Sequence, residues 1–139
     1  MRRVIAIVLP LLAVLGIVVW RINGVAPRDD GGFSATRARD TLQSLLAENV
    51  PHPIGSPANQ RVRDRIVARL RGLGYEATIQ RRFTCNANIA CANVENIIAS
   101  IPGSASPDAV LLSVHYDSVP AGAGASDDGD GVATALEIA

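Results

Sequence analysis

Two short stretches hold the residue types best suited to chemistry. The first is Leu112-Ser113-Val114-His115-Tyr116-Asp117-Ser118; the second, after a loop of Gly, Ala and Ser, is Ala125-Ser126-Asp127-Asp128-Gly129-Asp130-Gly131. His115 stands at the end of an apolar run, where a strand of an α/β sheet delivers its functional groups. Asp117 follows two residues later, so in extended chain both side chains point to the same side. A carboxylate beside a histidine accepts one ring N–H, which sets the tautomer and leaves the other nitrogen free for a metal. Asp127 and Asp128 return immediately before a helix, and a carboxylate pair so placed is hard to keep ionised without a cation. One arrangement covers these features: His115 and an Asp bind a divalent metal, with Asp117 behind His115.

Each residue taken singly has a plainer reading. A lone His115 is more often a satisfied, non-ligand histidine, and Asp127 or Asp128 alone is more often a helix cap. Asp130 reads as first-turn charge favoured by the helix dipole. A calcium loop over Asp127–Asp130 fails the EF-hand pattern, because counting from Asp127 puts Gly129 third and Ile138 twelfth, where a glutamate is required.

The elements that must position these residues follow from periodicity. Ser34 can cap a helix running to about Asn49, with Ala38, Leu42, Leu45 and Leu46 on its apolar face. Pro51-His52-Pro53-Ile54-Gly55 breaks the chain. Ser56-Pro57 starts a second helix, a capping hydroxyl followed by proline at the first helical position. Val62, Ile66, Leu70 and Leu73 form its stripe, and Gly72 and Gly74 stop it. Its other face carries Arg61, Arg63, Arg65, Arg69 and Arg71, which reads as a solvated face in preference to an anion site. Strands are expected at Tyr75–Phe83, at Ala92–Ile101 and at 109–114; the last is apolar almost throughout and so reads as a central strand covered on both faces. A further helix opens at Gly129. The order implies a mixed α/β layered domain over 33–139. With three strands and a final helix that has no cap, the chain is expected to be part of a longer protein.

Ahead of that domain, Met1-Arg2-Arg3 precedes Val4–Trp20, a run without charge. As a helix it would reach about 26 Å, the short end of what crosses a bilayer. Trp20 and Arg21 suit an interfacial anchor, and the basic head favours the N-terminus inside with the rest outside. Residues 1–23 are thus expected to form a transmembrane anchor and 24–32 a linker. A cleaved signal peptide is the rival, with Gly24-Val25-Ala26 as its small-residue site. Both place the domain on the extracytoplasmic side of a membrane. The formal net charge is zero, so composition supplies no general attraction for nucleic acid.

The two cysteines, Cys85 and Cys91, lie between two expected strands. They are too few for a structural zinc site and lack the Cys-x-x-Cys spacing of a redox pair. Outside the cytoplasm a disulfide is permitted, closing a small loop and contributing about 2 kcal/mol. Free thiols are the alternative.

The run from His115 to Ala133, H-Y-D-S-V-P-A-G-A-G-A-S-D-D-G-D-G-V-A, closely resembles the zinc exopeptidase family that includes the bacterial secreted leucyl aminopeptidases and aminopeptidase Y. With the anchor and Pro51–Ser56, it looks most like the membrane-bound branch, the endoplasmic reticulum metallopeptidases, vacuolar membrane proteases and their bacterial relatives. The resemblance covers about residues 33 to 139. It implies a three-layer α/β/α sandwich with a mixed sheet and two zinc ions sharing a bridging carboxylate. By match, His115 is a ligand of one zinc, Asp127 the bridging ligand, and Asp117 the residue orienting His115; Asp128 is a neighbour and not a ligand. The implied reaction is hydrolysis of a peptide bond at a free N-terminus by metal-activated water, with a Glu as base. The family's catalytic Glu and remaining ligands lie downstream of the D-D-G helix, Glu137 cannot fill the base's place, and His52 is a poor substitute ligand. The alternative is a non-catalytic, membrane-tethered ectodomain that binds a partner. The 139-residue chain by itself is expected to release no amino acid from a chromogenic aminopeptidase substrate; metal-dependent release by the purified chain would overturn that.

Overall fold

The computed structural model describes the backbone of residues 2–23, 29–30, 32–85, 91–103 and 108–139, and the side chains of 8–21, 32–85, 91–103 and 108–139. Most of the expected linker, the loop between the cysteines and most of the turn at 102–107 lie outside the described residues.

The elements are α1 (Arg2–Asn23), β1 (Asp29–Asp30), β2 (Phe33–Ser34), α2 (Ala35–Leu45), α3 (Pro57–Gly72), β3 (Ala77–Cys85), β4 (Cys91–Ala99) and α4 (Asp130–Ile138). Both expected caps are made. Ser34 Oγ accepts from the Arg37 N–H at 3.2 Å and Ser56 Oγ from the Asn59 N–H at 3.1 Å, with Pro57 opening α3. Each cap satisfies an N–H that the helix leaves unpaired, for about 1 kcal/mol. Helix α2 stops at Leu45, short of Asn49. Beyond α3, Gly74 has φ +89°, a conformation that favours glycine, and the Tyr75 N–H reaches back to the Leu70 carbonyl at 3.0 Å.

Leu45 of α2, Val62, Ile66 and Leu70 of α3, and Val132 and Leu136 of α4 form one buried cluster. Ala77, Ile97 and Ala99 of the hairpin pack against it from the sheet, with Tyr75 and Tyr116. The hairpin is antiparallel, with Ile79 opposite Ile97 and Cys85 opposite Cys91. The two sulfurs are 2.12 Å apart, a disulfide that joins the strand ends.

Ion pairs tie the same elements together at their rims. Glu48, just after α2, accepts from Arg61 and Arg65 of α3, and Arg61 first, then Arg65, lowers its pKa to about 2. Glu95 of β4 accepts from Arg63 of α3 and from Arg81 of β3. The side chain of Glu137 in α4 is 3 % exposed and accepts from Arg37 and from the Ser34 N–H, closing α4 onto the start of α2. Three of the five α3 arginines are thereby engaged in ion pairs, which accords with a structural face.

Two expectations are corrected. Residues 109–114 form no strand: among the described residues β3 and β4 pair only with each other, and Val110 and Leu111 are 90 % and 87 % exposed. A run apolar on both faces needs cover on both faces, and no described element lies over this one. The described sheet is therefore an antiparallel hairpin and not a mixed sheet. The transmembrane helix is the second. Helix α1 forms, and its described side chains, from Val8 to Arg21, are all exposed. Among the described residues no helix is long and apolar enough to cross a membrane.

Arg81 and Arg63 hold the Glu95 carboxyl below the usual carboxylate range. A depressed folded pKa contributes stability above the unfolded value and loses it as pH falls through the folded one. Glu95→Gln should lower the unfolding free energy at neutral pH by about 1–2 kcal/mol. The difference from the parent chain should shrink as the medium is acidified below about pH 4, as read by denaturant melts at several pH values.

Candidate metal centre

His115 and Asp117 sit on the irregular segment that leads away from the hairpin. This segment is tied to the sheet by Tyr116, whose hydroxyl donates to the Glu95 carbonyl at 2.8 Å. Asp127 and Asp128 come from a tight turn, Ala125–Gly129, that opens α4. Within it the Gly124 carbonyl accepts from the Asp127 and Gly129 N–H groups at 3.3 and 2.9 Å. Asp127 (φ −151°, ψ 81°) and Asp128 (φ −126°, ψ 38°) are not helical, and the peptide between them is cis. Both carboxylates reach His115, that of Asp127 at the ring and that of Asp128 at the backbone N–H.

The ring of His115 is held on both nitrogens. Nε2 is 3.1 Å from Asp127 Oδ1; Nδ1 is 3.4 Å from Asp117 Oδ1 and 3.3 Å from the Asp117 carbonyl oxygen. The His115 N–H donates to Asp128 Oδ2 at 3.3 Å. All four sequence-derived residues thus converge, from segments about a dozen positions apart. Exposures are 52 % for the His115 side chain, 36 % for Asp117 and 81 % for Asp127, so the group faces open solvent. Burial, the largest influence on the His115 pKa, acts to lower it, but Asp117 and Asp127 together outweigh it and the value is raised.

The donor set suits zinc in kind, an imidazole nitrogen and a carboxylate oxygen. It suits zinc in spacing too: two ligands of one tetrahedral zinc stand about 3.3 Å apart, given bonds of about 2.0–2.1 Å, close to the Nε2–Oδ1 distance here. It falls short in number. Among the described residues no group of three or more His, Cys, Asp or Glu side chains is arranged to hold a metal ion.

Glycines explain why the acidic pair is embedded in a D-D-G-D-G run. A Cβ on Gly131 would come within 2.1 Å of Asp128 Oδ1; one on Gly129 would meet the Gly124 carbonyl and Leu42 at 3.0 Å. Gly124 has φ +67° and its missing Cβ would meet the Asp127 carbonyl oxygen at 2.9 Å. Sequence reasoning missed two contributions. Asp128 braces the His115 main chain, which no spacing rule signals. Ser118 and His52, both buried, bond across a separation of 66 residues; only the breaker Pro51-His52-Pro53 marked that place. His52 is 3 % exposed, with Nδ1 3.1 Å from the Val50 carbonyl, and it lies behind the site.

The fold is of mixed α/β class with a two-stranded sheet. Residues 96–139 match the model of Peptidase family M28. A vacuolar membrane protease of Schizophyllum commune is 31 % identical over 96 % of this chain and 16 % of its own length. That of Schizosaccharomyces pombe is 36 % identical over 74 % of this chain and 14 % of its own. Among solved structures, a glutaminyl cyclase of Porphyromonas gingivalis is similar with a TM-score of 0.66 and 31 % identity, over 78 % of this chain and 39 % of that one. The chain thus spans about one sixth of the length of its curated relatives.

Gly131→Ala should push the Asp128 carboxylate off the His115 N–H. Hydrogen exchange at the His115 amide should speed up roughly five- to tenfold, the loss of one long, solvent-facing hydrogen bond of about 1 kcal/mol, with helical content unchanged.

Proposed function

We propose that this chain is part of a zinc-dependent metallopeptidase of the M28 kind, an aminopeptidase-type exopeptidase. The single observation that carries the reading is the placement of His115 Nε2 and Asp127 Oδ1 at 3.1 Å, with Asp117 on the opposite ring nitrogen. In this reading His115 and Asp127 hold zinc, Asp127 is the carboxylate shared between two ions, and Asp117 orients His115. Zinc, when bound, supplies Lewis-acid polarisation of the peptide carbonyl. The chain's own residues do the rest: Asp117 keeps a proton on Nδ1, Asp128 fixes the His115 backbone, and the Gly124 carbonyl steadies the turn that presents Asp127. The complete domain is read as a three-layer α/β/α sandwich. Further ligands and a general base are supplied from outside these residues, because Glu137 is engaged by Arg37.

The relatives' names support work at a membrane. The exposed apolar side chains of α1 offer the surface for attachment, with the domain on the extracytoplasmic side, where the Cys85–Cys91 bridge is stable. A second reading, cyclisation of N-terminal glutamine, has the solved glutaminyl cyclase in its favour. A longer protein containing this chain distinguishes the two: released amino acid supports the peptidase, pyroglutamyl product the cyclase.

For the chain itself, calorimetric titration should show weak zinc binding that His115→Ala or Asp127→Asn abolishes and Asp130→Asn leaves unchanged. A proton on His115 competes with the metal, and its pKa is raised; affinity should therefore weaken as pH falls through that raised value and level off above it. Zinc binding indifferent to His115→Ala would rule out the assigned centre.

A further inference from the structure

The peptide joining Asp117 to Ser118 lies between the two histidines of the chain. Its carbonyl oxygen is 3.3 Å from His115 Nδ1, and its N–H donates to the His52 carbonyl at 3.2 Å. The C=O and N–H of a trans peptide point in opposite directions in one rigid plane, so holding one end aims the other. Ser118 Oγ completes the hold: it accepts from the His52 N–H at 2.8 Å and donates to the Val119 carbonyl at 3.0 Å. His52 and Ser118 are 3 % and 5 % exposed, which keeps these bonds from competing with water. His52 stands between Pro51 and Pro53, whose rings restrict the backbone on either side. The clamp is therefore anchored to a stiff segment.

We infer that Ser118 is a positioning residue for the His115 ring: clamped to the His52 main chain, it turns the Asp117 carbonyl and carboxylate onto Nδ1 and so leaves Nε2 as the nitrogen presented to a metal. The inference rests on the zinc reading for its consequence, but not for its geometry. Asp127 alone would pull the ring proton to Nε2, at 3.1 Å. Two acceptors on the Nδ1 side oppose it, and Asp117 is 36 % exposed against 81 % for Asp127, so water weakens the Asp127 pull more. His52, a poor substitute ligand by sequence, acts here through its backbone.

The chain holds two histidines, so ring nitrogen shifts of the full chain labelled with 15N-histidine resolve both, and loss of one set in His115→Gln assigns them. Without metal, at alkaline pH where the ring is neutral, His115 should carry its proton on Nδ1. Ser118→Ala should move it towards a mixture of tautomers and weaken zinc binding about tenfold, while Ser118→Thr, which keeps the hydroxyl, restores both. A parent chain with the proton on Nε2 overturns the inference, whether or not the alanine variant folds. So does a folded Ser118→Ala chain with unchanged ring shifts and zinc affinity. A chain that binds no zinc but shows the Ser118-dependent tautomer defeats the zinc reading and leaves the clamp standing.

Discussion

Burial of α4 against α2 and α3 is the constraint on which the site depends. Leu45, Val62, Ile66, Leu70, Val132 and Leu136 leave water together, each contributing about 1.5–3 kcal/mol relative to exposure. That packing sets the position of the first turn of α4, and the first turn carries Asp127 and Asp128. The same cluster receives Tyr116, so it also fixes the segment that carries His115 and Asp117. The two halves of the candidate centre are thus registered to one another through a shared core. Their mutual hydrogen bonds are long and solvent-facing, too weak to do this alone.

Charge takes over where the apolar contacts end. Glu48, Glu95 and Glu137 each accept from an arginine on another element, and Glu137 does so almost fully buried. Exposed pairs of this kind contribute little, and their use here is in restricting how helices and hairpin meet. The carboxylates of the centre differ: Asp117, Asp127 and Asp128 converge on a histidine and leave acceptor capacity towards solvent. Three structural glutamates are paired with arginines, whereas two aspartates flank an imidazole and a third holds its main chain. That contrast separates the part of the molecule that holds itself together from the part we propose to take a cation.

Local structure was largely legible. Ser34 and Ser56 cap where a hydroxyl precedes a helical stripe, Gly74 takes the positive φ that a helix end requires, and the cysteines close opposite one another because the strands flanking them pair in register. His-x-Asp after an apolar run and an Asp pair before a helix were legible as one candidate group, and the fold brings them together. The segment 109–114 was misread for a physical reason. Apolarity on both faces states what a strand needs, and only neighbouring elements can meet that need; among the described residues they leave Val110 and Leu111 in the open. The N-terminal run folds as the helix α1, and among the described residues no helix is long and apolar enough to cross a membrane.

By itself the sequence determined what depends on near neighbours: helix starts, the two paired strands, and the identity of the candidate donors at 115, 117 and 127. These follow from backbone sterics and side-chain chemistry within a few residues. Tertiary structure alone decided which nitrogen of His115 faces which carboxylate, that Asp128 holds the His115 backbone, and that Ser118 meets His52 from 66 positions away. Such choices depend on the relative placement of packed elements, which is set by a core that no local pattern specifies.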